Sequence, residues 1–183
     1  MHHQTVRPAG AGHETALVAL ASALILGAAV LAVGLRPAAS AAPVPAAHQL
    51  ESRTGLTAAE QGLYADLKMA AEEIAALRRA MGRPPAPDEL AAEALPPFAV
   101  DASAAARGGH AWIMVEKGRD VAYVGLSAAP DLAGSMVLLM DGRGPAVWLK
   151  RTAETPPAAL DEAALIGAGW KQLTSTFSAG VTR

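Results

Sequence analysis

The sequence predicts an α+β protein carried by one N-terminal transmembrane helix, and three observations point there. An uncharged apolar run fills residues 15–35, a capped amphipathic helical pattern fills 57–81, and four short runs rich in Val, Leu and aromatic residues, paired by two turn signals, lie between 110 and 151. The expected order is a transmembrane helix, a proline-rich stalk, one long amphipathic helix packed on a four-stranded antiparallel β-meander, and a short C-terminal helix. The expected division is a disordered leader (1–14), the span (15–35), an Ala/Pro-rich linker (36–56), an extracytoplasmic α+β domain (57–173) and a flexible tail (174–183).

The span comes first. Its 21 residues, TALVALASALILGAAVLAVGL, cover roughly 31 Å at helical rise, the thickness of a hydrocarbon core. Ser22 returns its hydroxyl to a carbonyl one turn back, so no polar side chain is stranded. A cleaved signal peptide competes, because Ala39-Ser40-Ala41 offers small residues beyond the run. The run is longer than a usual signal core, and Arg36-Pro37 separates it from that site, so an uncleaved anchor is expected. Arg7 precedes the span while Arg36 and Arg53 follow it, which leaves the positive-inside count nearly tied. A 14-residue leader too short to fold and an Ala/Pro-rich exit favour a cytoplasmic N-terminus and a periplasmic domain in a bacterial inner membrane. Ala19, Ala23 and Gly27 make a small-residue ridge, a pattern that alanine richness alone also generates.

Residues 36–56 carry three prolines and no periodicity, which predicts an extended linker. Thr57 and Glu60 then form a capping box, and Leu63, Leu67, Ala70, Ile74, Leu77 and Met81 follow on one helical stripe. Gly82 and Pro84 stop the helix. Pro87-Asp88-Glu89-Leu90 opens a short helical turn that Leu95-Pro96-Pro97-Phe98 closes. One hairpin is expected from HAWIMVE (110–116) and VAYVGL (121–126), another from SMVLLM (135–140) and AVWLKR (146–151) across Asp141-Gly142-Arg143-Gly144. A short helix over 160–166 follows. Alternation puts Ile113, Val115, Val124, Leu126, Val147 and Leu149 on a face under the long helix, and Trp112, Tyr123 and Trp148 on the other. That aromatic face is either a second core, covered by the C-terminal helix with Trp170 and the Phe98 segment, or a partner-binding surface.

Composition narrows the function. Of 183 residues 45 are alanine, so large side chains suffice for one modest domain. A net charge of −2 argues against tracking a nucleic-acid backbone, and the absence of cysteine removes disulfides, thiolate metal sites and thiol nucleophiles. Ser127, in Gly125-Leu126-Ser127-Ala128-Ala129, sits just after a strand as a nucleophile would, but the closing glycine of an elbow is missing; a Ser127, His110, Asp131 triad is therefore not expected. No catalytic constellation and no cofactor site emerges, so the expectation is a protein without catalytic activity. His2, His3, His13 and His110 are the metal-ligand candidates, at spacings that fix no geometry.

Two resemblances add to this. The order of long helix, Pro-Ala-Pro-Asp-Glu-Leu, Leu-Pro-Pro-Phe-Ala-Val-Asp and a Trp/Tyr-bearing meander resembles the globular part of type IV pilins and pseudopilins. It bears on fold more than on pilus assembly, because Glu14 precedes the span without a prepilin leader and the stalk interrupts the helix. LTAAEQGLYADLKMAAEEIAALR, ELAAEALPPFAVD and the W…AYVG…GS…VW series are similar to an uncharacterised family of proteobacterial single-pass membrane proteins whose genes accompany metal-ion ABC importers. That resemblance implies an accessory role with an importer as protein partner. Metal binding or delivery, or a pilin-like assembly role, are the alternatives.

Overall fold

The structure is a computed structural model that describes residues 13–35 and 46–175. Residues 1–12, 36–45 and 176–183 lie outside the described residues, His2 and His3 among them. The chain divides into two compact units, one holding the apolar helix α1 and the other all the elements from β1 to β6.

α1 (Glu14–Gly34) is 21 residues of helix, and its stretch Thr15–Gly34 is long and apolar enough to cross a membrane. Its Leu, Ile and Val side chains are exposed on every side within the unit. Such a surface is apolar all round rather than on one stripe, which suits lipid and not water.

The second unit is α+β, with a six-stranded mixed sheet in the order β1-β6-β5-β4-β3-β2. Its elements are β1 (Gln49–Glu51), α2 (Ala58–Met81), α3 (Pro87–Ala92), β2 (Ala111–Lys117), β3 (Asp120–Leu126), β4 (Ser135–Asp141), β5 (Gly144–Lys150), α4 (Glu162–Gly167) and β6 (Lys171–Thr174). The expected four-strand meander is present as β2 to β5, all antiparallel. Two further strands extend it: β6 pairs antiparallel with β5, and β1 pairs parallel with β6. The expected linker 36–56 is therefore corrected at its end, since Leu50 packs on the core and Ser52 and Leu56 are buried. At the other end the domain closes within one residue of the expected boundary, with Leu173 buried in β6 and Thr174 its last residue.

α2 forms where the sequence places it. Thr57 Oγ1 accepts the Glu60 amide at 3.2 Å while Glu60 Oε2 accepts the Thr57 amide at 2.9 Å, and Gly82 ends the helix at φ 72°. Leu63, Leu67, Ala70, Ala71 and Ile74 form its buried face. The first hairpin turns on Gly118 at φ 63°, where a side chain would be strained.

The faces of the sheet differ from the alternation expected. Register runs Ile113 to Val124 to Val137 to Trp148 across four strands, and Met114 to Tyr123 to Leu138 to Val147 beside it. Trp112 and Tyr123 thus lie on the α2 side with Val147 and Leu149, while Trp148 lies on the α4 side with Val124, Leu160, Leu165 and Trp170. Two cores result, one on each face. The long helix covers Val147 and Leu149 as expected, but Trp112 and Tyr123 lie under it where Ile113, Val115, Val124 and Leu126 were expected, and Phe98 packs beside both aromatics, its ring centroid 5.1 Å from Trp112 and 5.5 Å from Tyr123. Trp112 also lies across its cross-strand partner Gly125, where an added Cβ would stand 2.6 Å from the indole.

Tyr123 shows how tightly that core is closed. It is 0% exposed, its hydroxyl donates to the Pro85 carbonyl at 2.8 Å, and burial pushes the phenol up to about 12. Tyr123→Phe is expected to cost about 1–2 kcal/mol through the stranded carbonyl, and to delete an absorbance step near pH 12 from the phenolate titration of the folded chain. A step that survives the substitution would assign the shift elsewhere.

Candidate functional site

A cleft of about 720 Å³ opens at the start of α2, lined by Thr57, Glu60, Ser127, Asp131, Arg151 and Glu154 among others. Three stretches far apart in sequence meet there: the N-terminus of α2, the loop from β3 into β4, and the end of β5. Glu60 is their junction. Its side chain is 0% exposed and accepts four hydrogen bonds, from the Thr57 amide at 2.9 Å, the Gly134 amide at 3.2 Å, Arg151 Nε at 2.8 Å and Arg151 Nη2 at 2.7 Å.

Glu60 is an acid at the third position of a helix, where the N-terminal amides favour negative charge. Burial pushes its carboxyl up, but the Arg151 fork and the two backbone amides outweigh that and hold it below the usual range. Arg151 is a half-exposed partner whose Nη2 also donates to the Gly55 carbonyl at 2.9 Å. Thr57 Oγ1 donates to the Leu132 carbonyl at 3.0 Å, so the cap is tied to the β3–β4 loop as well. Gly134 is fitted to this corner: a Cβ there would lie 2.8 Å from Leu149 and 2.9 Å from the Arg151 backbone.

The candidate triad does not assemble. Ser127 Oγ donates to the Gly108 carbonyl at 3.2 Å and accepts the Ala129 amide at 3.1 Å, which is the bonding of a turn. His110 Nε2 donates to the Gly134 carbonyl at 2.9 Å, and burial holds the imidazole below its usual range. Its ring stacks on Trp112 at 5.8 Å. Among the described residues no hydrogen bond joins Ser127, His110 and Asp131, although Ser127 and Asp131 line one cleft. Ser127 and His110 thus each bond to backbone, around Gly108 and at Gly134.

Of the metal-ligand candidates, His13 is exposed just before α1, and His110 is engaged as described. Among the described residues no three His, Asp or Glu side chains gather as a metal would need. The partner-surface candidates are separated: Tyr123 and Trp148 are buried on opposite faces, and Trp112 is half-buried under Phe98. They form a lining for two cores rather than one aromatic surface.

Sequence reasoning found Glu60 only as a helix cap and treated Arg151 as the end of a strand. The signal for the pair was faint: a capping acid that an apolar helix face carries inward must find a cation, and Arg151 lies 91 positions away. A smaller charged group sits at the second hairpin, where Arg143 bridges Asp141 at 2.9 Å and Glu162 at 3.1 Å on the surface.

A family model described as a family of unknown function (DUF6162) matches residues 50–178, a span that opens inside β1. The chain belongs to that family. No curated protein and no solved structure matches it.

Proposed function

We propose that this member of DUF6162 is a membrane-anchored accessory protein whose α+β domain binds another protein and performs no bond chemistry. α1 would hold the chain in a bacterial inner membrane with its N-terminus in the cytoplasm and the domain in the periplasm. One observation carries this reading: a helix of membrane-spanning length is joined to a domain whose cleft spends its buried charge inward, on its own fold. A nucleophile needs a free base beside it, and here the serine and the histidine each bond to backbone groups of a loop. The partner class comes from the resemblance to single-pass proteins encoded beside metal-ion ABC importers, so the proposed role is assistance to such an importer.

The test is fractionation and cross-linking of the full chain in bacterial cells. The expected result is a chain that stays in the membrane pellet after carbonate washing, is digested from the periplasmic side in spheroplasts, and cross-links to an importer subunit. A soluble chain beginning near Ala42 would overturn the anchor; a membrane-bound chain that cross-links to no transport protein would overturn the accessory role.

A further inference from the structure

The sheet has two edges, and they are unequal. β1 runs three residues; β2 runs seven, with no proline and no charge before Glu116. Proteins blunt long edges with charge, proline or a bulge, because unpaired backbone groups recruit another strand. β2 has no such guard over Ala111 to Val115.

Lys117 and Asp120 flank a two-residue hairpin loop, and in such a hairpin the flanking pair exchanges both backbone bonds. Counting back by twos, Lys117, Val115, Ile113 and Ala111 direct their backbone groups to β3. Those of Glu116, Met114 and Trp112 point out of the sheet, and among the described residues none of the three bonds to backbone outside its own ladder.

We propose that a second copy of this chain pairs on β2, antiparallel about a two-fold axis through Met114, so that two six-stranded sheets become one. Only this register sets all three outward residues of one copy against all three of the other: Trp112 to Glu116, Met114 to Met114, Glu116 to Trp112. It closes about six backbone hydrogen bonds. The same register sets Ile113, 42% exposed, opposite the half-buried Val115 of the other copy on the α4 side, twice over. Charges agree with it, since Glu116 faces Trp112 and Lys117 faces Ala111, and no like charges meet. The interface is isologous, which makes it self-limiting at two copies. A short strand pair binds weakly in free solution, and confinement of both copies to one membrane raises their effective concentration. The pairing is independent of the accessory role proposed above.

The chain has no cysteine, so single substitutions report cleanly. The full chain in membrane vesicles, oxidised with copper phenanthroline, is expected to cross-link through Met114→Cys at least tenfold faster than through Val100→Cys, an exposed control at 92%. Ile113→Cys and Val115→Cys chains, mixed, are expected to cross-link to each other faster than to themselves. Met114→Pro removes an outward N–H while leaving the β3 ladder intact, and in the same vesicles is expected to slow the cross-link between Ile113→Cys and Val115→Cys chains at least tenfold. Equal rates for Met114→Cys and Val100→Cys, or Met114→Pro chains whose Ile113→Cys and Val115→Cys cross-link forms at the undiminished rate, would overturn the pairing. If Met114→Pro does not fold, the cross-linking rates alone decide.

Discussion

Trp148→Ala is expected to destabilise the domain by about 3–5 kcal/mol, lowering the thermal midpoint of the full chain in detergent by roughly 10–20 °C. Trp148 is 1% exposed and stands at the centre of the α4-side core, between Val137 on β4 and Gln172 on β6. Leu160, Leu165 and Trp170 close over that core, and they come from a six-residue helix and its flanks. Removing the indole leaves a cavity that this thin layer can only partly collapse into. Trp148→Phe is expected to cost less than half as much. The indole Nε1 meets no acceptor among the described residues, so phenylalanine gives up area without giving up a hydrogen bond. Differential scanning fluorimetry of the three chains checks the order. An alanine variant within about 1 kcal/mol of the wild type would mean that the α4 layer contributes little to holding the sheet.

How much of this was legible depends on whether a signal is local. The ends of α2 were readable to the residue, because a capping box and a C-terminal glycine act within one turn of the chain. The two hairpins were readable because Gly118 and the Asp141 to Gly144 turn dictate pairing next to themselves. β1 and β6 were not, since three or four residues hold no periodicity and their parallel pairing joins positions 123 apart. The faces failed for another reason. β3 and β4 are buried on both sides, so alternation has no polar phase to mark, and the phase of β5 relative to β4 rests on the Asp141 to Gly144 register alone. At the cleft, Thr57 and Glu60 announced themselves as a cap, while Arg151 gave no sign of its partner until the fold brought them together.

That partnership gives the second large effect. Arg151→Met is expected to cost about 2–4 kcal/mol, because it leaves the Glu60 carboxylate buried with two backbone amides and no cation. Adding Glu60→Gln to that variant is expected to recover part of the loss, since a neutral amide oxygen still accepts an amide from Thr57 or Gly134 and no longer carries an unmatched charge. Two independent surface residues would instead add their costs. The pH dependence follows from the same geometry. In the folded chain Glu60 holds its charge below the ordinary value of 4.5, so the unfolded chain takes up the proton first as the medium is acidified. The stabilisation is therefore complete above about pH 4.5 and drains away as pH falls through the lower folded value. Glu89, held near 2 by its Arg83 fork, and Asp101 contribute in the same direction, so Glu60→Gln is expected to flatten the acid limb of a urea-midpoint profile without abolishing it. The Glu60–Arg151 partnership would be refuted if Glu60→Gln and Arg151→Met were additive and the acid limb kept its full slope, because Glu60 would then be ionised and solvated alike in the folded and unfolded chain, and the cleft would be an open surface rather than the joint that ties α2 to the sheet.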